Sequence, residues 1–141
     1  MRLLLQRVTQ ASVSVDEKVV GAIDEGYLVF LGVVKGDGEA QAVWLAEKII
    51  KLKLFEENSM DIVQKGGSIL VVSQFTLAAQ IESGTKPDFS KAAAGPAARP
   101  LYELFVQTLR DRGIAVETGV FGAMMQVSLT NSGPFTLCFD R

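Results

Sequence analysis

A proline near the C-terminus interrupts what otherwise reads as two strands of a sheet. The strands are residues 126–130 and 135–139, and the segment 131–134 (Asn-Ser-Gly-Pro) lies between them. Proline has no backbone N–H and a fixed φ, so among strands it marks an edge, a bulge or a sharp turn. X-Pro bonds are also the ones that can be cis. The pair Gly133-Pro134 therefore presents two backbone carbonyls in a rigid geometry, and a strand-joining turn is the simplest interpretation.

A second polar interruption lies at the end of another apolar strand. Residues 68–74 (Ser-Ile-Leu-Val-Val-Ser-Gln) predict a buried strand, and the segment 73–76 (Ser-Gln-Phe-Thr) closes it. Two such interruptions, both beside strands, are candidates for a functional site. The alternative is structural, since Ser73 and Thr76 could simply be hydrogen-bonded residues at the edge of a sheet.

The 141 residues fit a single domain over 1–141, long enough to bury a core. Hydrophobic residues make up 48% and charged residues 21%, which is typical of a globular protein. The net charge of −2 argues against binding nucleic acid by charge alone. No segment approaches the ~18 apolar residues of a membrane span, and the N-terminal apolar run is too short for a signal peptide. We therefore expect a cytoplasmic protein with no membrane partner.

The chain has no histidine, and this absence excludes several kinds of active site. Neither a Ser-His-Asp triad nor a Cys-His pair can be built, and imidazole-based zinc sites are excluded as well. The single cysteine, Cys138, allows no disulfide within the chain and is expected to be a small buried apolar residue. Asp and Glu are scattered without metal-ligand spacing, so we expect no metal ion and no other cofactor.

Alternating and apolar runs predict eight strands and two helices. The strands are residues 3–8, 11–15, 19–23, 27–34, 68–74, 115–117, 126–130 and 135–139. Helical spacing predicts helices over 39–52 and 95–112. Their inward stripes are expected to be Val43, Leu45, Ile49 and Leu52, and Leu101, Leu104, Phe105, Thr108 and Leu109.

These elements predict an α+β fold in which two main helices pack on a large mixed sheet that is curved or barrel-like. The run 27–34 is apolar on both faces and is therefore expected at the centre of the sheet. The longest loop, 77–94, has the length at which loops often carry function. Exposed sheet edges are commonly protected by pairing, which favours a homodimer.

The two polar interruptions resemble the signature pair of the D-aminoacyl-tRNA deacylases. One is 71–77 (Val-Val-Ser-Gln-Phe-Thr-Leu), and the other is 127–136 (Val-Ser-Leu-Thr-Asn-Ser-Gly-Pro-Phe-Thr). Shorter matches follow in the family's order at 6–8, 11–13, 26–33, 84–93, 101–105, 117–119 and 121–125. Each is weak alone, but their order and spacing together are highly specific. The chain departs from the common pattern at Ser132, where aspartate is frequent, and at Phe135, which replaces a smaller β-branched residue.

The resemblance implies an enzyme of translation proofreading that hydrolyses the ester between a D-amino acid, or glycine in some cases, and the 3′ end of tRNA. It implies that the segment 73–76 lines the pocket for the terminal adenosine and the aminoacyl group. It also implies that the Gly133–Pro134 bond is cis and that this motif enters the partner subunit's pocket in a homodimer. The pocket walls implied in the same way are Phe121, Ala123 and Met125, with Arg7 supporting the motif.

Read without the resemblance, two of these residues have ordinary structural interpretations. Arg7 could be a surface side chain whose stem lies along the sheet. Met125, together with Met124, could be core filler. The three lysines of the first helix and the segment after it, Lys48, Lys51 and Lys53, are better read as a solvated face than as an RNA-binding groove.

An aminoacyl ester is already reactive, so its hydrolysis needs no strong general base. Backbone N–H groups near Gln74, Phe75 and Thr76 are therefore the candidates for catalysis, because such donors stabilise a tetrahedral oxyanion. The adenosine 2′-OH beside the ester can position or activate water. A nucleophilic Thr76 is the second choice, since no histidine is present to activate its hydroxyl.

Stereochemical selection would follow from the carbonyls of Gly133 and Pro134, which would hold the substrate's α-ammonium group in one direction. A D side chain then points to open space, whereas an L side chain meets rigid backbone, and glycine escapes the filter. Two alternatives stay open. One is a non-catalytic dimeric nucleic-acid-binding module of the same fold, and the other is a hydrolase that uses Thr76 or Cys138 on a different ester.

Overall fold

Six strands form one mixed sheet that curls into a nearly closed barrel, and two long helices pack on one face of it. The computed structural model describes residues 1–141. The strands are β1 (Arg2–Val15), β2 (Lys18–Ile23), β3 (Gly26–Gly32), β4 (Ser68–Ser73), β5 (Ala115–Thr118) and β6 (Gln126–Asp140). The helices are α1 (Glu39–Ile50), α2 (Ile62–Lys65) and α3 (Gly95–Asp111), and a 3-10 turn (Phe75–Ala78) follows β4. The predicted α+β class and barrel-like mixed sheet are confirmed.

The strand order is β2-β1-β3-β4-β5, and β6 pairs with the other edge of β1. β1 is antiparallel to β2, β3 and β6, whereas β3, β4 and β5 run parallel to one another. β2 returns beside β4 and β5, which brings distant parts of the sheet together. β3 lies between β1 and β4, the central position expected for a strand that is apolar on both faces.

β1 and β6 are each one long strand where the sequence predicted two shorter ones. The interruptions are absorbed as shifts in register and do not form turns. Gln6 pairs with Thr136 and Val8 pairs with Asn131, so a single residue of β1 faces the four residues 132–135 of β6. We call residues 132–135 the β6 bulge. A bulge leaves residues unpaired, which is why a proline is tolerated there.

Buried side chains form two clusters, one on each face of the sheet. The larger cluster has 23 buried residues and lies between the sheet and helices α1 and α3. The smaller cluster fills the inside of the barrel with Val8, Ala11, Val13, Ile23, Leu28, Leu70 and Val72. Successive residues of β3 and β4 alternate between the two clusters, as period-two side-chain geometry requires.

The helix stripes differ in part from the predicted ones. In α1, Leu45 and Ile49 are buried, but Val43 is 38% exposed and Ala42 and Ala46 take its place. Alanines are easily missed in a search for large apolar residues, yet they allow close packing of helices. In α3, Phe105 and Leu109 are buried as predicted. The other predicted residues of the stripe, Leu101, Leu104 and Thr108, are only half-buried. The remaining buried residues of this helix are Ala98, Tyr102 and Val106.

α2 is a short third helix that the sequence analysis did not predict. The Asp61 side chain accepts a hydrogen bond from the Gln64 N–H at 2.9 Å, and the Gln64 side chain accepts one from the Asp61 N–H at 3.0 Å. This reciprocal capping stabilises a single helical turn. The turn places Ile62, which is fully buried, in the larger cluster.

Cys138 is exposed, so the expectation of a buried cysteine was wrong. Alternation along β6 turns Leu137 and Phe139 toward the larger cluster and therefore turns Cys138 away from it. No helix in the structure has the length and apolar character to cross a lipid bilayer.

β4 leaves no room for a side chain at Gly26 of β3, where a Cβ atom would lie 1.8 Å from the Ser68 carbonyl oxygen. We predict that Gly26→Ala lowers the free energy of unfolding by about 3 kcal/mol or more, because the two backbones must separate. Gly95→Ala is the matched control, since no atom lies within 4 Å of its Cβ position. It should change the same quantity by less than about 1 kcal/mol. Urea titration at one protein concentration measures both variants, and equal midpoints would contradict the prediction.

Candidate active site

A cavity of about 700 Å³ opens where β4 ends, between the 3-10 turn, the first half of α3 and the segment that precedes β6. Its lining brings together all four residues of the segment 73–76 with three residues expected as walls, Phe121, Ala123 and Met125. The remaining lining residues are Leu31, Val33, Val72, Ala93, Gly95, Ala98, Tyr102, Gly122, Met124 and Val127.

The chain turns sharply at the C-terminal end of β4, where the residue that begins the 3-10 turn is hydrogen-bonded to β3. The Gln74 N–H donates to the Leu31 carbonyl at 2.8 Å, and the Leu77 N–H donates to the Gln74 carbonyl at 3.2 Å. Gly32 makes this approach possible, since a Cβ atom there would lie 2.7 Å from the Gln74 carbonyl oxygen. The close contact of Gly32 with the turn therefore sets the position of the segment 73–76.

Two backbone donors lie in the first turn of the 3-10 helix. The first N–H groups of a helix have no carbonyl within the helix to bond to, and here they belong to Phe75 and Thr76. The Gln74 N–H, which the sequence analysis also considered as a donor, is already bonded to Leu31. Of the three candidate backbone N–H groups, those of Phe75 and Thr76 are therefore the two that could donate to a ligand oxygen.

The Thr76 hydroxyl accepts a hydrogen bond from the Gln74 side-chain amide. An amide cannot take a proton from a hydroxyl near neutral pH, so this contact orients Thr76 without activating it. The Phe75 ring is 57% exposed and packs edge-on against Phe89, with 5.3 Å between ring centroids. Phe89 belongs to the long loop and had no predicted role in the site.

Tyr102 is a lining residue whose role the sequence analysis missed. Its hydroxyl donates to the Val71 carbonyl at 3.0 Å, and its ring lies 5.5 Å from the Phe121 ring, centroid to centroid. Burial raises the pKa of Tyr102 to about 12, so the hydroxyl stays protonated near neutral pH. The only available signal was its place on the apolar stripe of α3, four residues after Ala98 and three before Phe105.

The cavity carries no charged side chain near neutral pH, because Tyr102 is the only ionisable residue in its lining. Its polar lining residues are Ser73, Gln74, Thr76 and Tyr102. Such a lining suits an apolar or aromatic ligand with one oxygen placed at the backbone donors. Met124 is 93% exposed at the rim of the cavity, so it does not fill the core, which was the alternative interpretation of this residue.

Gly133 and Pro134 do not line this cavity within the same chain. They lie exposed in the β6 bulge, and the bond between them is cis. The Arg7 guanidinium holds the bulge by donating to the Ser132 carbonyl at 3.1 Å and to the Gly133 carbonyl at 2.9 Å. It also donates to the Leu54 carbonyl, so Arg7 is not a surface side chain with its charged end in water.

Phe135 and Asn131 complete the contacts around the bulge. The Phe135 ring lies 4.6 Å from the Arg7 guanidinium carbon, a cation–π distance. The Asn131 side-chain amide donates to the Arg7 and Phe135 carbonyls at 2.9 and 3.2 Å. The predicted site residues thus form two groups in one chain, the cavity and the bulge. Across the chain, no three His, Cys, Asp or Glu side chains converge in the manner of a metal site.

The comparisons with known proteins agree over the full length of the chain. A family model described as D-Tyr-tRNA(Tyr) deacylase matches residues 4–140. A D-aminoacyl-tRNA deacylase of Bacillus pumilus is 51% identical, covering 99% of this chain and 98% of its own. One of Syntrophotalea carbinolica is 53% identical, with coverage of 99% and 97%.

Two solved structures superimpose on this fold. A c-Myc DNA unwinding element binding protein is 36% identical with a TM-score of 0.93, covering 100% of this chain and 99% of its own. A probable eukaryotic D-amino acid tRNA deacylase is 20% identical with a TM-score of 0.83 and coverage of 99% and 98%, which shows the shared fold. On the family match and the identity to its bacterial relatives, the chain belongs to the D-Tyr-tRNA(Tyr) deacylase family of aminoacyl-tRNA ester hydrolases.

Proposed function

We propose that this protein hydrolyses the ester that joins a D-amino acid to the 3′-terminal adenosine of tRNA, releasing free tRNA and the amino acid. The observation that carries the proposal is the uncharged cavity lined by the first two residues of the 3-10 turn, Phe75 and Thr76, whose N–H groups have no partner within the turn. We place the aminoacyl-adenosine end of the substrate there, against Phe121, Ala123 and Met125. Because this substrate is made and used in the cytoplasm, we propose that the enzyme acts there.

The Phe75 and Thr76 N–H groups would stabilise the oxyanion that forms when water adds to the ester carbonyl. The bond from the Gln74 N–H to the Leu31 carbonyl ties the start of the turn to β3 before any substrate binds, which would limit reorganisation during the reaction. In other enzymes one such donor contributes roughly 100–1,000-fold to the rate. A pair of fixed donors is therefore a sufficient device for an ester that is already labile.

Water is the nucleophile in this proposal. It adds to the carbonyl carbon, the bond from that carbon to the ribose oxygen breaks, and the ribose oxygen leaves as a hydroxyl after taking up the proton that water loses. No charged side chain lines the cavity to act as a base. We assign the positioning of the water to the neighbouring ribose 2′-OH, which the substrate itself supplies.

Chiral selection is assigned to the β6 bulge of a second copy of the chain. Gly133 and Pro134 are exposed and do not line the cavity of their own chain, and Arg7 holds the Ser132 and Gly133 carbonyls in place. The outer edge of β6 is paired with no strand in the chain, and an unpaired edge of 15 residues favours association. In the homodimer, the Gly133 and Pro134 carbonyls would accept the substrate's α-ammonium group. The side chain of an L-amino acid would collide with the bulge, whereas glycine, which has no side chain, would not be rejected.

We predict that the purified protein deacylates D-tyrosyl-tRNA and glycyl-tRNA but leaves L-tyrosyl-tRNA intact, with a ratio of kcat/KM for the D over the L ester of roughly 100 or more. The reason is that only an L side chain collides with the bulge. Initial rates of release of radiolabelled amino acid, corrected for spontaneous hydrolysis, measure all three. Similar rates for the D and L esters would contradict the proposal that the bulge rejects L-aminoacyl esters.

We predict that Thr76→Ala keeps kcat within about tenfold of the wild type, because the Thr76 backbone N–H is unaffected. A nucleophilic Thr76 would instead give a loss on the order of 10⁴-fold or larger. Ser73→Ala, which changes a neighbouring hydroxyl in the same cavity, is the matched control. Rapid quenching followed by mass spectrometry of the intact protein tests for an acyl-enzyme. A covalent adduct on Thr76 would replace water as the nucleophile.

Subunit complementation tests whether the bulge acts across a dimer. Ala123→Trp is designed to block the cavity. Gly133→Leu is designed to obstruct the partner's cavity, because a Cβ atom at Gly133 would point into open space, with no contact within 4 Å in its own chain. Each variant alone should be inactive. Random reassortment of the two should restore about a quarter of the wild-type activity, because half of the dimers are mixed and each has one complete site.

Sedimentation of the wild-type protein and of both variants measures whether each of them is a dimer. An inactive mixture of properly dimeric variants would show that the bulge serves its own chain. If the wild-type protein were monomeric and fully active, the β6 bulge could not act at the cavity of a second copy.

The non-catalytic nucleic-acid-binding module is the second candidate, favoured by the name of the 36% identical DNA unwinding element binding protein. It predicts tight DNA binding that weakens with salt and no deacylation. The net charge of −2 and the uncharged cavity favour the hydrolase. The D-tyrosyl-tRNA assay separates the two functions directly.

A further inference from the structure

A second cavity of about 420 Å³ lies beside the active-site cavity along helix α3. One wall is a single face of α3, whose residues recur at helical spacing, and the other wall is the segment 118–121, which begins at the last residue of β5. The α3 wall consists of Arg99, Tyr102, Glu103, Val106, Gln107 and Arg110. We call this feature the α3 groove.

The α3 groove adjoins the active-site cavity. Tyr102 and Phe121 line both of them, so these two rings form a shared partition. The Arg99 guanidinium carbon lies 6.0 Å from the Phe121 ring centroid on the groove side. For a chain-like ligand whose end occupies the active-site cavity, the groove is therefore the adjacent depression on the other side of Tyr102 and Phe121.

The groove differs from the active-site cavity in its charge. Arg110 forms no ion pair, and its guanidinium donates only to the Val116 carbonyl, at 3.1 Å. Arg99 pairs with Glu103 at 2.9 Å, but both side chains are about 60% exposed, so the pair is weak and easily exchanged. Two guanidiniums and one carboxylate give the groove a net charge of +1, and the Gln107 amide and Thr118 hydroxyl add neutral polar groups.

We propose that the α3 groove binds the nucleotide immediately 5′ of the terminal adenosine, with Arg110 and Arg99 facing the phosphodiester that joins the two. This inference rests on the proposed function, because it places the adenosine in the neighbouring cavity. An anionic phosphodiester matches guanidiniums that lack a firm carboxylate partner. Phe121 and Val120, which is 45% exposed, offer an apolar surface to the base. Since every tRNA ends in CCA, this nucleotide is a cytidine.

The test compares three D-tyrosyl esters that differ only in length: D-tyrosyl-adenosine, the ester of the dinucleotide cytidylyl-adenosine, and D-tyrosyl-tRNA. Arg110→Gln removes the charge but keeps a donor for the Val116 carbonyl. We expect it to lower kcat/KM about tenfold for the dinucleotide ester and for the tRNA, and to leave the adenosine ester within about twofold. The slope of log kcat/KM against log salt for the two longer substrates should become shallower by about 0.7, the value for one lost single-strand phosphate contact.

Two further variants distinguish a phosphate contact from a structural effect. Arg110→Lys keeps the charge and should restore most of the salt dependence. Arg112→Gln removes an arginine that lies two residues away, outside the groove, and pairs with Glu47. It should behave as the wild type on all three esters.

Each contrary outcome has a definite meaning. An equal loss on the adenosine ester, a loss seen only with whole tRNA, or a loss as large in Arg112→Gln would overturn the groove assignment. If the wild-type protein hydrolyses all three esters and Arg110→Gln matches it on each, the groove assignment fails and the proposed function stands. If the wild-type protein hydrolyses none of them, both fail together.

Discussion

The unequal pairing of β1 with β6 is the constraint on which the rest of the molecule depends. One residue of β1 faces four residues of β6, so backbone carbonyls in the bulge lose their partners in the ladder and need other donors. Arg7, which stands at the point of mismatch, supplies them to Ser132 and Gly133 and also bonds the Leu54 carbonyl between α1 and α2. A single guanidinium thus fixes the bulge against the barrel on one side and the helical layer on the other. The exposed position of Gly133 and Pro134 follows from this arrangement.

The two cavities differ in their chemistry, and this difference matches the two parts of the extended ligand proposed for them. The active-site cavity is apolar and uncharged, with backbone N–H groups at its polar end, whereas the α3 groove holds the guanidiniums. In the proposed arrangement, this separation would keep strong charges away from the labile ester and would retain electrostatic attraction for the RNA that carries it. Helix α3 supplies both surfaces, because the residues that face the larger cluster and those that line the groove occupy adjacent stripes of one helix.

Much of the fold could be predicted from the sequence, because strand alternation and large apolar residues are local signals. The segment 73–76 and the walls at 121–125 also line one cavity, since both adjoin strand ends that the topology brings together. Three features were not predictable in the same way. The register mismatch opposite Arg7 depends on pairing between residues more than 120 positions apart. The role of Tyr102 depends on the Val71 carbonyl lying above it. The short helix α2 has only a capping box as its signal, and four residues are too few for periodicity.

The backbone donors of the 3-10 turn bear on how such a protein can diverge. A main-chain N–H is present in every residue except proline, so replacement of the side chain at Phe75 or Thr76 leaves that donor in place. Selection must instead preserve the path of the chain, for which the small size of Gly32 is required. Side chains around the cavity can therefore change without removing the two backbone donors, provided that the path of the chain at Gly32 is kept.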